Sequence, residues 1–519
     1  MDTELSSPNY VLRALELFVG YAEREALVKD DQRLSFTDIH DNVLDLASAL
    51  REQGIRPGMA VAVLISLPIE GLALQLALHL IGCRLVWVVL GTNPREMREY
   101  LALSRPDAFI YDPRTEDELG RELAEVLAPA PVLCLGPGGI GPDLLTMRAQ
   151  RRQAAELAAG SPESVFSTSG TTGTPKALLH KDAMFQQTLV LAVEWRDSAH
   201  PRLRQLSVTP LWWAAGTVAT LITLGSGGTV FIQADWSPDS FLRAVQEQRI
   251  NFTFMSPPMF YELLDDPALP KTDCSSLYML NVGAAPPSPQ RLRQGAAVFG
   301  PVVRITYGLS ESPYVCAQAG ITDDPERPEL LRSAGTPWGD VRLQIRAEDG
   351  TVLEPGATGE VWVHSRLNFA GYLGAPELTE QTLVNGWLRT RDIGYLDEAG
   401  RLFLVGRAQD MIITGQGSRK IYARPIEEAL SSHPNVRAAA VIGVPDPDLV
   451  EVVHAYVVPG RDPAPDLDEL RDVVTGSLPK ICAPRSIDFV DSLPLVGIGK
   501  VDKKALRDRY AAEHIGVPG

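Results

Sequence analysis

The chain has 519 residues, 45% of them hydrophobic and 22% charged, which is typical of a globular protein too long for a single core. A formal net charge of −17 argues against a general nucleic-acid-binding protein, although a small anionic substrate remains compatible with it. Five cysteines without CxxC spacing argue against a disulfide framework or a zinc site and favour a reducing cytoplasm. We therefore expect at least two domains.

The first third of the chain alternates between helical periodicity and short apolar strands. Ser35 and Asp38 form a capping-box-like pair that predicts a helix over 35–54. The most apolar stretch, 72–90, contains polar residues and a glycine break, so we interpret it as a buried helix and strand rather than a membrane span. Further strands are predicted over 60–66, 107–112 and 131–135.

The same alternation resumes further along the chain and then changes character. Strands are predicted over 229–233, 252–256, 277–282 and 302–306, and shorter strands with turns over 333–405. Another helix is predicted over 425–433, with strands over 437–443, 452–458 and 486–490. The pattern predicts an α/β fold: residues 1–408 form a large N-terminal domain of layered parallel or mixed sheets with helices and a small β-rich lobe. Residues 409–519 form a small mobile α+β domain.

A stretch rich in hydroxyl groups and glycine, residues 167–176 (STSGTTGTPK), follows a short apolar run. Glycine lets backbone N–H groups approach an anion, and Lys176 adds a mobile positive charge, so the stretch is a candidate polyphosphate cradle. It is not a Walker A loop, because Pro175 precedes the lysine and Ala177 follows it. The alternative is a polar surface turn. The candidate nucleotide-binding residues here are Thr168, Ser169, Gly170, Thr171, Thr172 and Gly173.

This string closely resembles the phosphate-binding signature of the acyl-adenylating superfamily, which includes acyl- and aryl-CoA ligases, luciferases and the adenylation domains of nonribosomal peptide synthetases. The resemblance spans nearly the whole chain, since further signatures follow in the expected order, and it is nearest to the acid:CoA ligases. It implies ATP and Mg²⁺ as cofactors, with CoA as the acceptor of the activated acid.

Two signatures of the superfamily would border the nucleotide. Residues 307–311 (YGLSE) follow a predicted strand and resemble an aromatic-Gly-x-Thr-Glu motif, in which the ring stacks on adenine and the glutamate binds Mg²⁺. Residues 283–286 (GAAP) resemble a Gly-Gly-Ala-Pro turn beside adenine and the acyl group. The implied residues are Tyr307, Gly308, Ser310 and Glu311 in the first motif and Gly283, Ala284 and Ala285 in the second.

Later signatures supply a ribose site, a hinge and a catalytic lysine. Asp392 resembles the aspartate that accepts both ribose hydroxyls, although Arg391 stands where the family has glycine. Arg407 resembles the arginine that assists there, and Asp410 the hinge residue. Lys500 resembles the lysine of a mobile Gly-Lys loop. A lysine that reaches both the carboxylate and the α-phosphate would stabilise the charge that accumulates during adenylation, with Lys176 and Glu311 as further catalytic groups.

Three departures from the family bear on substrate and acceptor. Trp212 and Trp213 stand where many acyl-CoA ligases have an aromatic-His pair. With Gly216 and Gly283 they predict a pocket for a small or aryl acid, although Trp212 could simply pack in the core. We find no aspartate there for an α-amino group. The loop 413–422 is longer than usual, and residues 448–451 replace a common Gly-Glu pair.

Together these features predict an AMP-forming acid ligase that transfers its acyl group to a thiol, most simply CoA. An alternative keeps the adenylation step with a small acid, or an inorganic oxyanion such as nitrite, and uses a carrier protein, an amine or another nucleophile. More distant alternatives are a non-catalytic nucleotide-binding protein and a phosphotransferase. The expected partners are a small-molecule acid and, in the alternative, a carrier protein, with no nucleic acid and no membrane span. The protein is expected to be a monomer or homodimer.

Overall fold

The computed structural model describes most of the chain, and the described residues form β-sheets and helices. It describes residues 9–66, 69–90, 92, 94–147, 152–168, 176–233, 236–318, 320–321, 324, 326–414, 419–446, 448–460, 464–496 and 500–514. Mixed helices and strands throughout these ranges confirm the predicted α/β fold class.

The described helices and strands have the following bounds. The helices are α1 (Tyr10–Tyr21), α2 (Phe36–Glu52), α3 (Gly71–Ile81), α4 (Pro94–Ser104), α5 (Pro113–Leu127), α6 (Ala154–Leu157), α7 (Asp182–Arg196), α8 (Ala214–Gly225), α9 (Pro238–Gln248), α10 (Pro257–Asp265), α11 (Pro289–Phe299), α12 (Pro376–Thr382), α13 (Ala423–Ser431), α14 (Leu467–Thr475) and α15 (Lys503–His514). The strands are β1 (Glu25–Lys29), β2 (Gln32–Ser35), β3 (Ala60–Leu64), β4 (Arg84–Trp87), β5 (Ala108–Tyr111), β6 (Val132–Cys134), β7 (Glu163–Thr168), β8 (Lys176–Lys181), β9 (Arg204–Ser207), β10 (Thr229–Ile232), β11 (Phe252–Met255), β12 (Met279–Val282), β13 (Val303–Leu309), β14 (Ser312–Gln318), β15 (Ser333–Pro337), β16 (Arg342–Arg346), β17 (Gly359–His364), β18 (Gly371–Tyr372), β19 (Leu383–Val384), β20 (Trp387–Leu396), β21 (Leu402–Arg407), β22 (Met411–Thr414), β23 (Arg419–Tyr422), β24 (Val436–Asp446), β25 (Val450–Pro459), β26 (Ser486–Phe489), β27 (Leu495–Val496) and β28 (Lys500–Val501).

Local sequence signals place the early elements where they were predicted. The side chain of Ser35 accepts from the backbone N–H of Asp38, and the Asp38 carboxylate accepts from the Ser35 backbone N–H, so a capping box starts α2. The apolar stretch 72–90 forms α3 and β4, both largely buried. In the described residues, no helix is long and apolar enough to cross a membrane.

A seven-stranded sheet carries the strand pair around the candidate phosphate loop. Its order is β18-β8-β7-β4-β3-β5-β6. The strands from β7 to β6 pair in parallel, whereas β7 and β8 form an antiparallel pair and β8 pairs antiparallel with β18. The candidate phosphate loop therefore joins two hydrogen-bonded neighbours at one end of this sheet.

A larger sheet of fourteen described strands contains both the second parallel region and the β-rich lobe. Its main path is β16-β17-β20-β21-β15-β14-β13-β12-β11-β9-β10-β1-β2. Strands β13 to β1 along this path pair in parallel, and those from β13 to β16 pair antiparallel. We expected a sheet layer and a separate lobe, but β14 and β15 connect them through continuous hydrogen bonding.

The C-terminal part of the chain forms its own sheet. The chain leaves the larger sheet after β21 and enters a five-stranded sheet at β22, with β23, β25, β24 and β26 as its other members. The buried side chains of α13, α14 and these strands form a separate hydrophobic cluster. Strands β27 and β28 form a two-stranded hairpin that carries Lys500.

Candidate active site

The candidate phosphate loop is anchored at both ends by backbone pairing. Thr168 ends β7 and Lys176 begins β8, and the two residues are cross-strand partners. The predicted residues Ser169, Gly170, Thr171, Thr172 and Gly173 lie outside the described residues. Lys176 is therefore fixed by its backbone at the start of β8, and its side chain is half-buried.

The predicted metal ligand Glu311 lies in the turn of a β-hairpin. We expected residues 307–311 to follow a strand, but Tyr307 and Gly308 lie within β13, and Ser310 and Glu311 make the turn to β14. Glycine is required in this hairpin, because a Cβ on Gly308 would lie 2.1 Å from the carbonyl oxygen of Pro313. A residue outside the hairpin stabilises this turn, because His180 Nε2 donates a hydrogen bond to the carbonyl oxygen of Ser310 at 2.8 Å.

Asp392, Tyr307 and Arg407 form a cluster around a buried carboxylate at the predicted ribose site. Asp392 is 5% exposed and is the cross-strand partner of Arg407. Its carboxylate accepts from the Tyr307 hydroxyl at 2.6 Å and pairs with Arg407 Nε at 2.9 Å. Asp392 raises the pKa of Arg407, while burial and then Asp392 raise the pKa of Tyr307. The cluster thus presents a fixed carboxylate to which ribose hydroxyls can donate.

Lys500, which lies in the C-terminal part of the chain, approaches this cluster. Burial and the charge of Arg407 lower its pKa from 10.5 to about 8, and the charges of Asp392 and Asp410 oppose that shift. Charges perturb an ammonium group in this way when they lie within electrostatic range of it in a partly buried region. The structure therefore places the predicted catalytic lysine within electrostatic range of the residues predicted to hold the ribose.

The predicted hinge residue lies in a short connection between the two sheets. Asp410 ends a single 3₁₀ turn after β21, and its carboxylate pairs with Arg507 of α15 at 2.9 Å. An ion pair at 2.9 Å also joins Arg332 of the larger part to Glu428 of α13. The Arg332–Glu428 ion pair thus joins the C-terminal part to the larger part.

The turn 283–286 packs tightly against the neighbouring strands. A Cβ on Gly283 would lie 2.5 Å from Thr306 Oγ1 and 2.9 Å from the Phe254 ring. The next residue, Ala284, has a positive φ of 69°. Strand packing therefore requires glycine at position 283, and the contacts of Gly283, Ala284 and Ala285 with adenine or acyl groups stay predictions.

Packing within the fold explains two of the residues that were predicted to line the acyl pocket. Trp212 is 9% exposed and belongs to the main hydrophobic core. This is the alternative to a pocket role that the sequence analysis left open. A Cβ on Gly216 would lie 2.2 Å from the carbonyl oxygen of Pro210, so packing of the first turn of α8 demands glycine there. Trp213 caps α8 and is only partly buried, which leaves it the better candidate for substrate contact.

Tyr372 was not singled out by the sequence but contacts two of the predicted catalytic residues. Its hydroxyl donates to Glu311 Oε1 at 2.7 Å, and Lys176 Nζ lies 5.1 Å from the centre of its ring. In the sequence, the pair Gly371-Tyr372 was the feature that could have pointed to this tyrosine. A Gly-Tyr pair is too common to indicate a site by itself. Only the pairing of β18 with β8 brings the tyrosine to the lysine.

The donor set fits MgATP without a dedicated metal cage. Among the described residues, no cluster of three or more His, Cys, Asp or Glu side chains could hold a metal ion. Glu311 offers a carboxylate oxygen near Lys176, and Mg²⁺ commonly uses one or two protein carboxylates together with substrate phosphates. The residues present therefore suit a metal that arrives with the nucleotide.

Comparison with known proteins agrees with this geometry. Residues 18–373 match a family described as AMP-binding enzyme, and residues 425–500 match AMP-binding enzyme C-terminal domain. A feruloyl-CoA synthase of an Amycolatopsis species is 31% identical over 481 residues, which cover 92% of this chain and 94% of that protein. A medium/long-chain-fatty-acid–CoA ligase of Mycobacterium tuberculosis is 35% identical over 365 residues, which cover 69% of this chain but only 63% of that protein.

A solved structure resembles the chain over nearly its full length. The amide bond synthetase of Marinactinospora thermotolerans is 34% identical, with a TM-score of 0.87, and the match covers 96% of this chain and 100% of that one. These matches confirm the predicted resemblance to the acyl-adenylating superfamily. The chain belongs to the AMP-binding enzyme family.

Proposed function

We propose that this protein is an AMP-forming ligase that activates a small or aryl carboxylic acid with MgATP and transfers the acyl group to a thiol, with CoA as the first choice. The observation that supports the proposal is the cluster of Asp392, Tyr307 and Arg407, with Lys500 of the C-terminal part within electrostatic range of Asp392 and Arg407. If Asp392 binds the ribose, the ammonium of Lys500 would act on the α-phosphate of the same nucleotide.

In the first step a carboxylate oxygen of the acid attacks the α-phosphorus of ATP. The bond to the β-phosphate oxygen breaks, pyrophosphate leaves with the electron pair, and an acyl adenylate remains. Lys500 orients the carboxylate and stabilises the charge on the α-phosphate, Lys176 interacts with the departing phosphates, and Asp392 and Arg407 hold the ribose. Glu311 would hold Mg²⁺, which would neutralise phosphate charge when bound.

In the second step the acceptor thiol attacks the acyl carbon, AMP leaves, and the thiol proton passes to solvent. We propose a domain boundary between residues 408 and 409, with Asp410 as the hinge about which the C-terminal domain moves after adenylation. Because Lys500 and Asp410 belong to the same small domain, rotation about the hinge would withdraw the lysine and open a path to the adenylate. The loop 413–422 would then help to form the entry for the acceptor.

An amine is the second candidate acceptor, favoured by the full-length similarity to an amide bond synthetase. In the loop 413–422, Lys420 pairs with Glu348 of the larger part rather than standing free for a CoA phosphate. An amine acceptor needs neither a phosphate site nor a pantetheine channel. Attack by its nitrogen on the same adenylate would release AMP and give an amide.

A substrate panel distinguishes these possibilities. Pyrophosphate release is measured with MgATP and aryl, short-chain, medium-chain and amino acids and nitrite, each alone, with CoA, and with simple amines. Lys500→Ala is compared with Lys504→Ala, a matched control because Lys504 is exposed and pairs with Asp508 at 3.0 Å. The proposal expects AMP and pyrophosphate with one acid, acceleration by CoA, and loss only in Lys500→Ala.

Other outcomes have separate meanings. Acceleration by an amine but not by CoA would replace the thiol with the amine as acceptor. ADP as the product would identify a phosphotransferase, and nucleotide binding without turnover of any acid would contradict an active ligase.

A further inference from the structure

Tyr372 connects parts of the active site that are far apart in sequence. It lies on β18, whose pairing with β8 puts Tyr372 opposite Leu178, two residues beyond Lys176. Its backbone N–H donates to Thr379 Oγ1 at 2.9 Å, and its side chain is 8% exposed. The tyrosine is therefore fixed at its main chain beside the strand that begins with the phosphate-loop lysine.

The hydroxyl of Tyr372 binds one oxygen of the predicted metal ligand. It donates to Glu311 Oε1 at 2.7 Å. A carboxylate oxygen accepts and a phenolic hydroxyl is the donor in such a pair. No hydrogen bond or ion pair from the described part of the chain engages Glu311 Oε2.

The ring of Tyr372 lies beneath the phosphate-loop lysine. Lys176 Nζ is 5.1 Å from the ring centre, within the range of a cation–π contact, and Phe369 meets the ring edge-on at 4.8 Å. Within the described ranges, Lys176 and Glu311 form no ion pair with each other. Tyr372 thus contacts two opposite charges, the ammonium of Lys176 through its ring and the carboxylate of Glu311 through its hydroxyl.

We propose that Tyr372 is a positioning residue that holds Lys176 and Glu311 apart and oriented, leaving the ammonium free for phosphate and Glu311 Oε2 free for Mg²⁺. The inference rests on the proposed function, since it assumes that MgATP binds between these groups. Fixing one carboxylate oxygen in advance removes rotational freedom that metal binding would otherwise have to restrict. Partners of metal ligands commonly change metal affinity 10–100-fold when they are lost.

The test is calorimetric titration of ATP into the full-length protein without acid, in EDTA and across a Mg²⁺ series. Tyr372→Phe removes the hydroxyl and keeps the ring, whereas Tyr372→Leu removes both. Tyr21→Phe is a matched control, because Tyr21 is also 8% exposed and its hydroxyl donates to the carbonyl oxygen of Gly225 at 2.7 Å. Thermal unfolding of every variant is recorded alongside.

We expect Tyr372→Phe to raise the Mg²⁺ concentration for half-maximal ATP binding about 10–100-fold. ATP binding in EDTA should change less than about twofold, because the ring still supports Lys176, and Tyr372→Leu should weaken that binding as well. An unchanged Mg²⁺ midpoint in Tyr372→Phe, or an equal shift in Tyr21→Phe, would overturn the inference and leave the ligase proposal intact. Absence of Mg²⁺-dependent ATP binding in the wild type would overturn both.

Discussion

The lowered pKa of Lys500 predicts how adenylation should depend on pH. Burial and Arg407 bring this pKa from 10.5 to about 8. The free enzyme should therefore lose the ammonium as the pH rises through about 8. Because the charged form stabilises the transition state, kcat/KM for ATP should fall tenfold for each further pH unit.

The free energies involved follow from the same shift. The difference between 10.5 and about 8 means that the charged ammonium is disfavoured by about 3 kcal/mol in the docked arrangement. Since the folded-state pKa lies below the unfolded value, folding stability should rise between pH 8 and 10.5 as Lys500 loses its proton. Bound ATP reverses this preference, because phosphate charge favours the ammonium, so the alkaline limb of kcat should lie at higher pH than that of kcat/KM.

The assay is ATP–pyrophosphate exchange from about pH 6.5 to 10, with the acid identified by the substrate panel. Lys500→Arg should retain reduced activity without the alkaline limb, because guanidinium stays charged to about pH 12. Lys500→Ala should lose about 10²–10³-fold, the cost of one charge-stabilising donor, and Lys504→Ala should match the wild type. A flat wild-type profile through about pH 9.5, or an alkaline limb that persists in Lys500→Arg, would refute this account of the lysine.

Three further predictions concern groups around this lysine. Asp392→Asn should weaken ATP binding about 10–100-fold in calorimetry, because the substitution removes a charged acceptor for the ribose and the charged partner of Arg407. A change in ATP affinity below about twofold would contradict the ribose role. Arg391 has a positive φ of 62°, so Arg391→Gly should raise the free energy of unfolding by about 0.5–1 kcal/mol in urea, whereas a decrease would show that its side chain stabilises the fold. Arg332→Ala removes the ion pair with Glu428. The free energy of unfolding should change by less than about 1 kcal/mol, but limited proteolysis near the hinge should become faster. An unchanged rate of proteolysis would argue against a docking role for this ion pair.

Local chemistry made much of the site recognisable in the sequence. Three features could be identified because a few neighbouring residues carry their chemistry. They are the phosphate-loop string ending at Lys176, the carboxylate of Glu311 and the capping box of Ser35. Periodicity likewise predicted the α/β class and most of its central strands, because burial of one or both faces leaves a local pattern.

The sequence by itself therefore determined the fold class, the family resemblance and a set of separate candidate residues. Only the tertiary structure decided that Tyr372 contacts both Lys176 and Glu311, that Trp212 belongs to the core, and that Lys500 lies within electrostatic range of Asp392. It also decided that the β-rich lobe continues the larger sheet. The physical reason is that strand pairing and domain docking join residues far apart in the chain, and their register depends on the whole core rather than on any local pattern.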